Sequence, residues 1–200
     1  MKKFISLSLT SKLLLCVLAI SPYSTRISAE QADPAARAIL VAGSGDYSRA
    51  ISTDSTSAQQ YFDQGLRLAW GFYFPESIAS YQEAARLDPG NRMPYWGMAH
   101  AMGPNPNSRY AKMPDDPKGE GLKAINKALA RLDRASELEK ALIQALFVLY
   151  DKASIADDTA RDRAYLQEMR GLNRKYPNDP DIAALYAASY MSIGRWNYWD

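Results

Sequence analysis

Tyr61-Phe62-Asp63-Gln64-Gly65-Leu66, followed by Ser77, Tyr81 and Ala84-Ala85-Arg86-Leu87-Asp88-Pro89, is the stretch that decides the fold class. Tyr61, Gly65, Leu66 and Ala69 recur at helical spacing and share one face. Ile78, Tyr81, Ala84, Ala85 and Leu87 form a second such face. Gly71-Phe72-Tyr73-Phe74 separates the two helices, and Pro75 suits a first turn. Asp88-Pro89-Gly90-Asn91 stops the second helix. Further along the chain the same periodicity predicts helices over about 92–102, 118–133, 137–151, 158–176 and 180–193. Ser136 and Glu139 form a capping box, and Asp179-Pro180 reads as an N-cap followed by Pro at the first helical position. No stretch reads as a strand, so the expected class is all-α.

Helices joined by short turns form either a bundle or a solenoid, and a period separates the two. Counting Ala58 as one, Tyr61, Gly65, Leu68, Ser77, Tyr81, Ala84 and Pro89 fall at positions 4, 8, 11, 20, 24, 27 and 32. This pattern resembles the tetratricopeptide repeat (TPR), whose period is about 34 residues. Small residues at Gly65, Ser77 and Ala84 let two helices approach closely, while Tyr61 and Tyr81 fill the adjoining holes. One period on stand Tyr95, Ala99 and Met102. An insertion near 103–117 interrupts the second repeat, which resumes at Ile125, Ala128 and Leu132; a third pair around Ala145 and Ala164 matches loosely. The expected architecture is a TPR-like α-α superhelix.

Tyr95-Trp96-Gly97-Met98-Ala99 and Gly103-Pro104-Asn105, taken with the strings above, are similar to large exported bacterial TPR proteins of undefined biochemical role. Such relatives often carry Asn-His after the Gly-Phe of the first turn. Here Tyr73-Phe74 follow Gly71-Phe72, so nothing that rests on that His carries over. The resemblance also implies further helices, richer in His, beyond the Trp196-Asn197-Tyr198-Trp199-Asp200 string. It implies that residues 58–200 are an incomplete repeat domain at the start of something longer.

The N-terminus reads as an address. Lys2 and Lys3 precede an apolar run at Leu13–Ile20, and Ser21-Pro22 breaks it before Ile27-Ser28-Ala29. Residues 1–29 therefore read as a secretory signal peptide, which implies export to a periplasm or the outside. The apolar run falls short of the ~20 residues of a spanning helix, so no stable membrane span is expected after cleavage. Leu15 before Cys16 disfavours a lipid anchor; a retained signal-anchor is the other alternative. Residues 30–57, rich in Ala, Ser, Thr, Gly and Asp, read as a flexible lead-in with a short helix possible at 35–42. Removing 1–29 leaves 20 basic against 22 acidic side chains, so the net charge of +2 becomes −2. That balance gives no electrostatic case for nucleic acid.

One Cys and one His cannot form an intrachain disulfide or a self-contained zinc site. No metal ligand set, cofactor or catalytic residue is predicted. His100, the single His, has no evident partner for general base work. Asp115-Asp116 and Asp157-Asp158 lack calcium-loop spacing and stand where helix caps expect Asp. Gly103-Pro104-Asn105-Pro106-Asn107 lacks the amide donors of a phosphate cradle. The 13 Tyr, 4 Trp and 5 Phe fall mainly at packing positions rather than as a carbohydrate platform.

The TPR resemblance implies a concave surface lined by the first helix of each pair. On it, Phe62 and Leu66, and Trp96 and His100, form two pairs at i,i+4 spacing. These four are the candidate groove residues for a protein or peptide partner. The competing reading is that residues 35–57 fold over this face and make them core. The leading expectation is an exported TPR-type scaffold, not an enzyme. The alternative is the N-terminal repeat part of a longer exported enzyme or metal-binding protein whose active site lies beyond residue 200. A structural envelope component is a third reading.

Overall fold

The computed structural model describes residues 37–103 and 114–194. The segments read as signal peptide, insertion loop and terminal aromatic string lie outside them, apart from the first and last residues of the loop. All described residues belong to one compact unit, Ala32–Asp200. They form seven α-helices and no strand: α1 Thr56–Trp70, α2 Phe74–Leu87, α3 Met93–Met102, α4 Pro117–Leu129, α5 Glu137–Phe147, α6 Asp158–Lys175 and α7 Pro180–Gly194. Consecutive helices pack on one another, and α1 also touches α3, as α3 touches α5.

Five helix starts carry side-chain caps, and α2 and α3 start without one. Ser55, Asp116 and Asp157 accept the amides of Ala58, Gly119 and Ala160. Ser136 and Glu139 complete the capping box of α5. The Asp179 carboxylate accepts the Ile182 amide at the start of α7. The aspartates weighed against calcium thus include two caps, Asp116 and Asp157. Two helices end earlier than periodicity predicts. α4 stops at Leu129 and gives way to a 3-10 turn, Leu132–Arg134. α5 stops at Phe147, where Tyr150 closes a turn onto the Phe147 carbonyl.

The first helix pair is built around one ring. Tyr81 is fully buried, and a Cβ added to Gly65 or Gly97 would lie 2.7 Å or 2.5 Å from its ring atoms. The Ser77 hydroxyl donates to the Gly65 carbonyl at 2.7 Å, closing the α1–α2 contact. A second ring repeats the device: the Tyr150 hydroxyl donates to the Ala99 carbonyl at 2.5 Å and lies against Gly121.

Residues 37–55 depart from the expected flexible lead-in. No helix forms over 37–42. The Gln64 carboxamide holds this stretch open, accepting from the Val41 amide at 2.7 Å and donating to the Ile39 carbonyl at 2.9 Å. Asp63 accepts from Ser48 and from the Arg49 amide. Gln59 brackets Ile51 and Arg49, and Glu139 accepts from the Ser52 amide and hydroxyl. These contacts anchor the segment as a strap along α1. Composition marked it as irregular, but not that α1 and α5 would satisfy its backbone.

Candidate ligand-binding cavity

Three of the four predicted groove residues are core. Phe62, Leu66 and Trp96 are 0%, 1% and 2% exposed. Phe62 packs against Tyr81, with ring centroids 5.5 Å apart. The Trp96 indole donates to the Leu142 carbonyl of α5 at 3.2 Å. Leu66 is enclosed on α1, one turn from Phe62. The i,i+4 spacing correctly puts Trp96 beside His100, whose rings stack at 5.4 Å and 5°. Those three side chains do not form an open groove, because α5 and the rest of the core already fill the space around them.

His100 is different. Its ring lines a cavity of about 310 Å³ formed by the α1–α2 turn, the end of α3, α6 and α7. Trp70, Phe74, Leu146 and Leu185 make its apolar walls. Ala69, Gly103, Ala184 and Ala188 face the same space, and their small size leaves it unfilled. Trp70 approaches the His100 ring at a tilt, 6.0 Å between centroids. Burial pulls the His100 pKa down to about 4, against a smaller opposing pull from Asp181, so the ring is neutral near pH 7. Its Nδ1 is buried without a hydrogen-bond partner.

The mouth of the cavity carries exposed apolar side chains. Phe72 is 56% exposed and Met191 is 42% exposed. Phe72 stands at φ 65°, in the left-handed region that a bulky residue avoids. The reason is the helix end. The Tyr73 amide donates to the Leu68 carbonyl and the Phe72 amide to the Ala69 carbonyl. This pair of bonds is the Schellman arrangement, whose left-handed position usually holds Gly. Gly71 sits one residue too early, so Phe72 takes that position.

An ion-pair clasp joins the strap to α7 beside this region. Arg49 contacts Asp179 at 3.0 Å and Asp181 at 2.6 Å. Burial works against the Arg49 charge, and the two carboxylates outweigh it, leaving its pKa raised. Burial likewise works against the Asp179 carboxylate, but hydrogen bonds from Arg49 and the Ile182 amide leave its pKa lowered. Tyr47 is pushed up to about 12 by burial and by its hydrogen bond to Asp181.

A larger cleft of about 430 Å³ lies between α4 and the start of α6. Several of its charges already have partners: Lys118 pairs with Asp158, and Arg161 donates to Asp158 and to the carbonyls of Leu149, Ile155 and Ala156. The smaller cavity is the better candidate because it combines apolar walls with an orphaned polar atom. No cluster of three or more His, Cys, Asp or Glu side chains suited to a metal ion occurs among the described residues.

Of the four predicted groove residues, His100 lines this cavity; Trp70, Phe74, Tyr165 and the α7 wall were not singled out from the sequence. The available signal was the run of small residues Ala184, Ala187 and Ala188, which come to border one space with Ala69 and Gly103 only in the fold. No protein-family model, curated protein or solved structure matches this chain.

Proposed function

We propose that the chain is a TPR-type binding module of a bacterial envelope. It takes an apolar group of a protein or peptide partner in the cavity between the α1–α2 turn and α7. The observation that carries this reading is the 310 Å³ apolar cavity with Phe72 and Met191 exposed at its mouth. An exposed apolar rim around an unfilled cavity is characteristic of a recognition surface. Stacked helix pairs support the repeat reading, and the pattern of residues 1–29 supports export. The site moves from Phe62, Leu66 and Trp96 to His100 and its cavity neighbours.

The test is a selection of peptides from a random library on the full chain, repeated on Ala188→Trp. This substitution places a large ring in the cavity. Selected peptides should share an aromatic or large aliphatic residue and lose binding to Ala188→Trp. Peptides that bind both proteins equally would sink the reading.

Tyr190 is 62% exposed beside Met191 on α7, and this favours a second reading. Here the α7 surface packs on further helices of a longer exported enzyme or metal-binding protein. Reading the coding sequence past Asp200 separates the two: a stop codon there removes the second.

A further inference from the structure

Two carboxamides of α1 hold the strap by its main chain. Gln64 accepts the Val41 amide at 2.7 Å and donates to the Ile39 carbonyl at 2.9 Å. Gln59 treats residues 49 and 51 alike, accepting the Ile51 amide at 3.0 Å and donating to the Arg49 carbonyl at 2.8 Å. Each thus takes the carbonyl of one strap residue and the amide of the second residue after it. Paired bonds of this kind are how an extended peptide is bound whatever its side chains.

The helix pair itself sets both clamps. The second amide hydrogen of Gln64 goes to the Ser80 hydroxyl at 3.0 Å, and that of Gln59 to the Asp63 carboxylate at 2.9 Å. Ser80 has already given its own proton to the Glu76 carbonyl, so both partners can only accept. Each carboxamide oxygen is therefore turned toward an incoming N–H.

Strap side chains are read at few places. Arg49 enters between Asp179 and Asp181, and Ile51 joins the core. Ser48 and Ser52 donate to Asp63 and Glu139. Ile39, Leu40 and Val41, by contrast, are 68%, 48% and 51% exposed although Gln64 clamps their main chain. Little apolar burial holds this half of the strap, and a segment held so opens locally while the helices stay folded.

We propose that the α1 face carrying Gln59, Asp63 and Gln64 is a peptide-binding site that the chain fills with its own strap, and that an extended segment of a partner protein takes the strap's place. The segment resembles Ser48-Arg49-Ala50-Ile51-Ser52, with Arg two residues before an aliphatic residue. Asp179 and Asp181 select the Arg, and the carboxamides accept varied sequence around it. A second copy's strap gains nothing by exchange, because the tethered strap has the same sequence and a far higher effective concentration. A better-matched partner segment does gain. The site shares no residue with the lining of the cavity beside His100.

The test uses the full chain and a fluorescein-labelled synthetic peptide of residues 37–53, followed by anisotropy. Ser48→Ala/Ser52→Ala in the chain weakens the tethered strap and leaves the clamps intact. The peptide should bind this chain about tenfold more tightly than the unaltered one. Methylating the peptide nitrogens of Val41 and Ile51 should cost about tenfold, since both clamps lose their donor. Arg49→Glu in the peptide should abolish binding, as it sets a carboxylate against Asp179 and Asp181. Replacing Ile39, Leu40 and Val41 of the peptide by Ser should change affinity by no more than about threefold.

A peptide that binds neither chain, or binds equally well after N-methylation, overturns the site. So does loss of binding on the Ser replacement, which would mean apolar adhesion. Ala188→Trp should leave peptide binding unchanged; its loss would place the segment in the cavity instead. If circular dichroism shows the double variant unfolded, the unaltered 15N-labelled chain is titrated with excess unlabelled peptide. The Val41 and Ile51 amide signals should then move to the positions of a released strap, and unmoved signals overturn the site. Dimers of the double variant that the peptide dissociates, seen by light scattering, would give the site to a second copy and overturn the partner.

Discussion

Packing at the α1–α3 end and packing around α7 give opposite results. Around Tyr81, a large ring meets two glycines, and the contact is closed on both faces. Around Ala188, the small residues Ala184, Ala187 and Ala188 of α7 border a space that Ala69 and Gly103 also border, and a cavity remains. Close packing requires complementary sizes across an interface, not merely apolar residues on both sides. The first end is closed core, and the second leaves about 310 Å³ unfilled.

The largest expected effect breaks the filled end. Gly97→Ala places a methyl 2.5 Å from Tyr81 ring atoms, and a fully buried ring has nowhere to move. A loss of about 3 kcal/mol or more is expected, read from urea denaturation. A loss below about 1 kcal/mol would show that Tyr81 is not clamped.

Arg49→Ala attacks the clasp between strap and α7. Arg49 and Asp181 are 12% and 7% exposed at the side chain, so the change leaves a largely buried carboxylate without its partner. The expected cost is about 3 kcal/mol, with hydrogen exchange accelerated over residues 45–52. Unchanged exchange in that segment would mean that Asp63 and Glu139 hold it without Arg49.

The third effect depends on pH. His100 has its pKa lowered to about 4 in the folded chain, against 6.5 for the unperturbed side chain. The unfolded chain therefore binds this proton first as the pH falls. The stability contributed by neutral His100 is complete above pH 6.5 and is lost progressively down to about pH 4. The loss is on the order of 3 kcal/mol. His100→Gln should flatten the stability profile between those values, and an unaltered slope would assign it to other groups.

Phe72→Gly tests the rim. It places the preferred residue in a left-handed position and should raise stability by about 1 kcal/mol. It should also weaken binding of peptides selected on the full chain, measured by titration of those peptides. Gly171→Ala, the smallest effect, is the control for Gly97→Ala. A Cβ there meets nothing within 4 Å, so helix propensity alone acts. A gain of about 0.5–1 kcal/mol in thermal denaturation is expected.

Much of this was legible in the chain. The spacing of Tyr61, Gly65, Tyr81 and Ala84 marked a helix pair, and Asp116, Ser136, Asp157 and Asp179 marked helix starts. These are local signals, set by neighbours one or two turns away. The site was only partly legible. Trp96 and His100 are four residues apart, so periodicity put them side by side. Whether that face was open depended on Leu142, more than forty residues distant, and no local pattern reports such a contact.

The same division separates sequence from tertiary structure for the whole protein. By itself, the sequence determined that the chain is helical, where most of its helices begin, and that Tyr81 and Gly65 belong together. Backbone capping and side-chain periodicity act over a few residues and need no knowledge of the fold. Only the tertiary structure decided that residues 37–55 are strapped to α1, that Phe62, Leu66 and Trp96 are core, and that His100 lines a cavity. Each of these depends on which distant surface covers which. Burial and the volume left between packed helices are properties of the assembled contacts, not of any one helix.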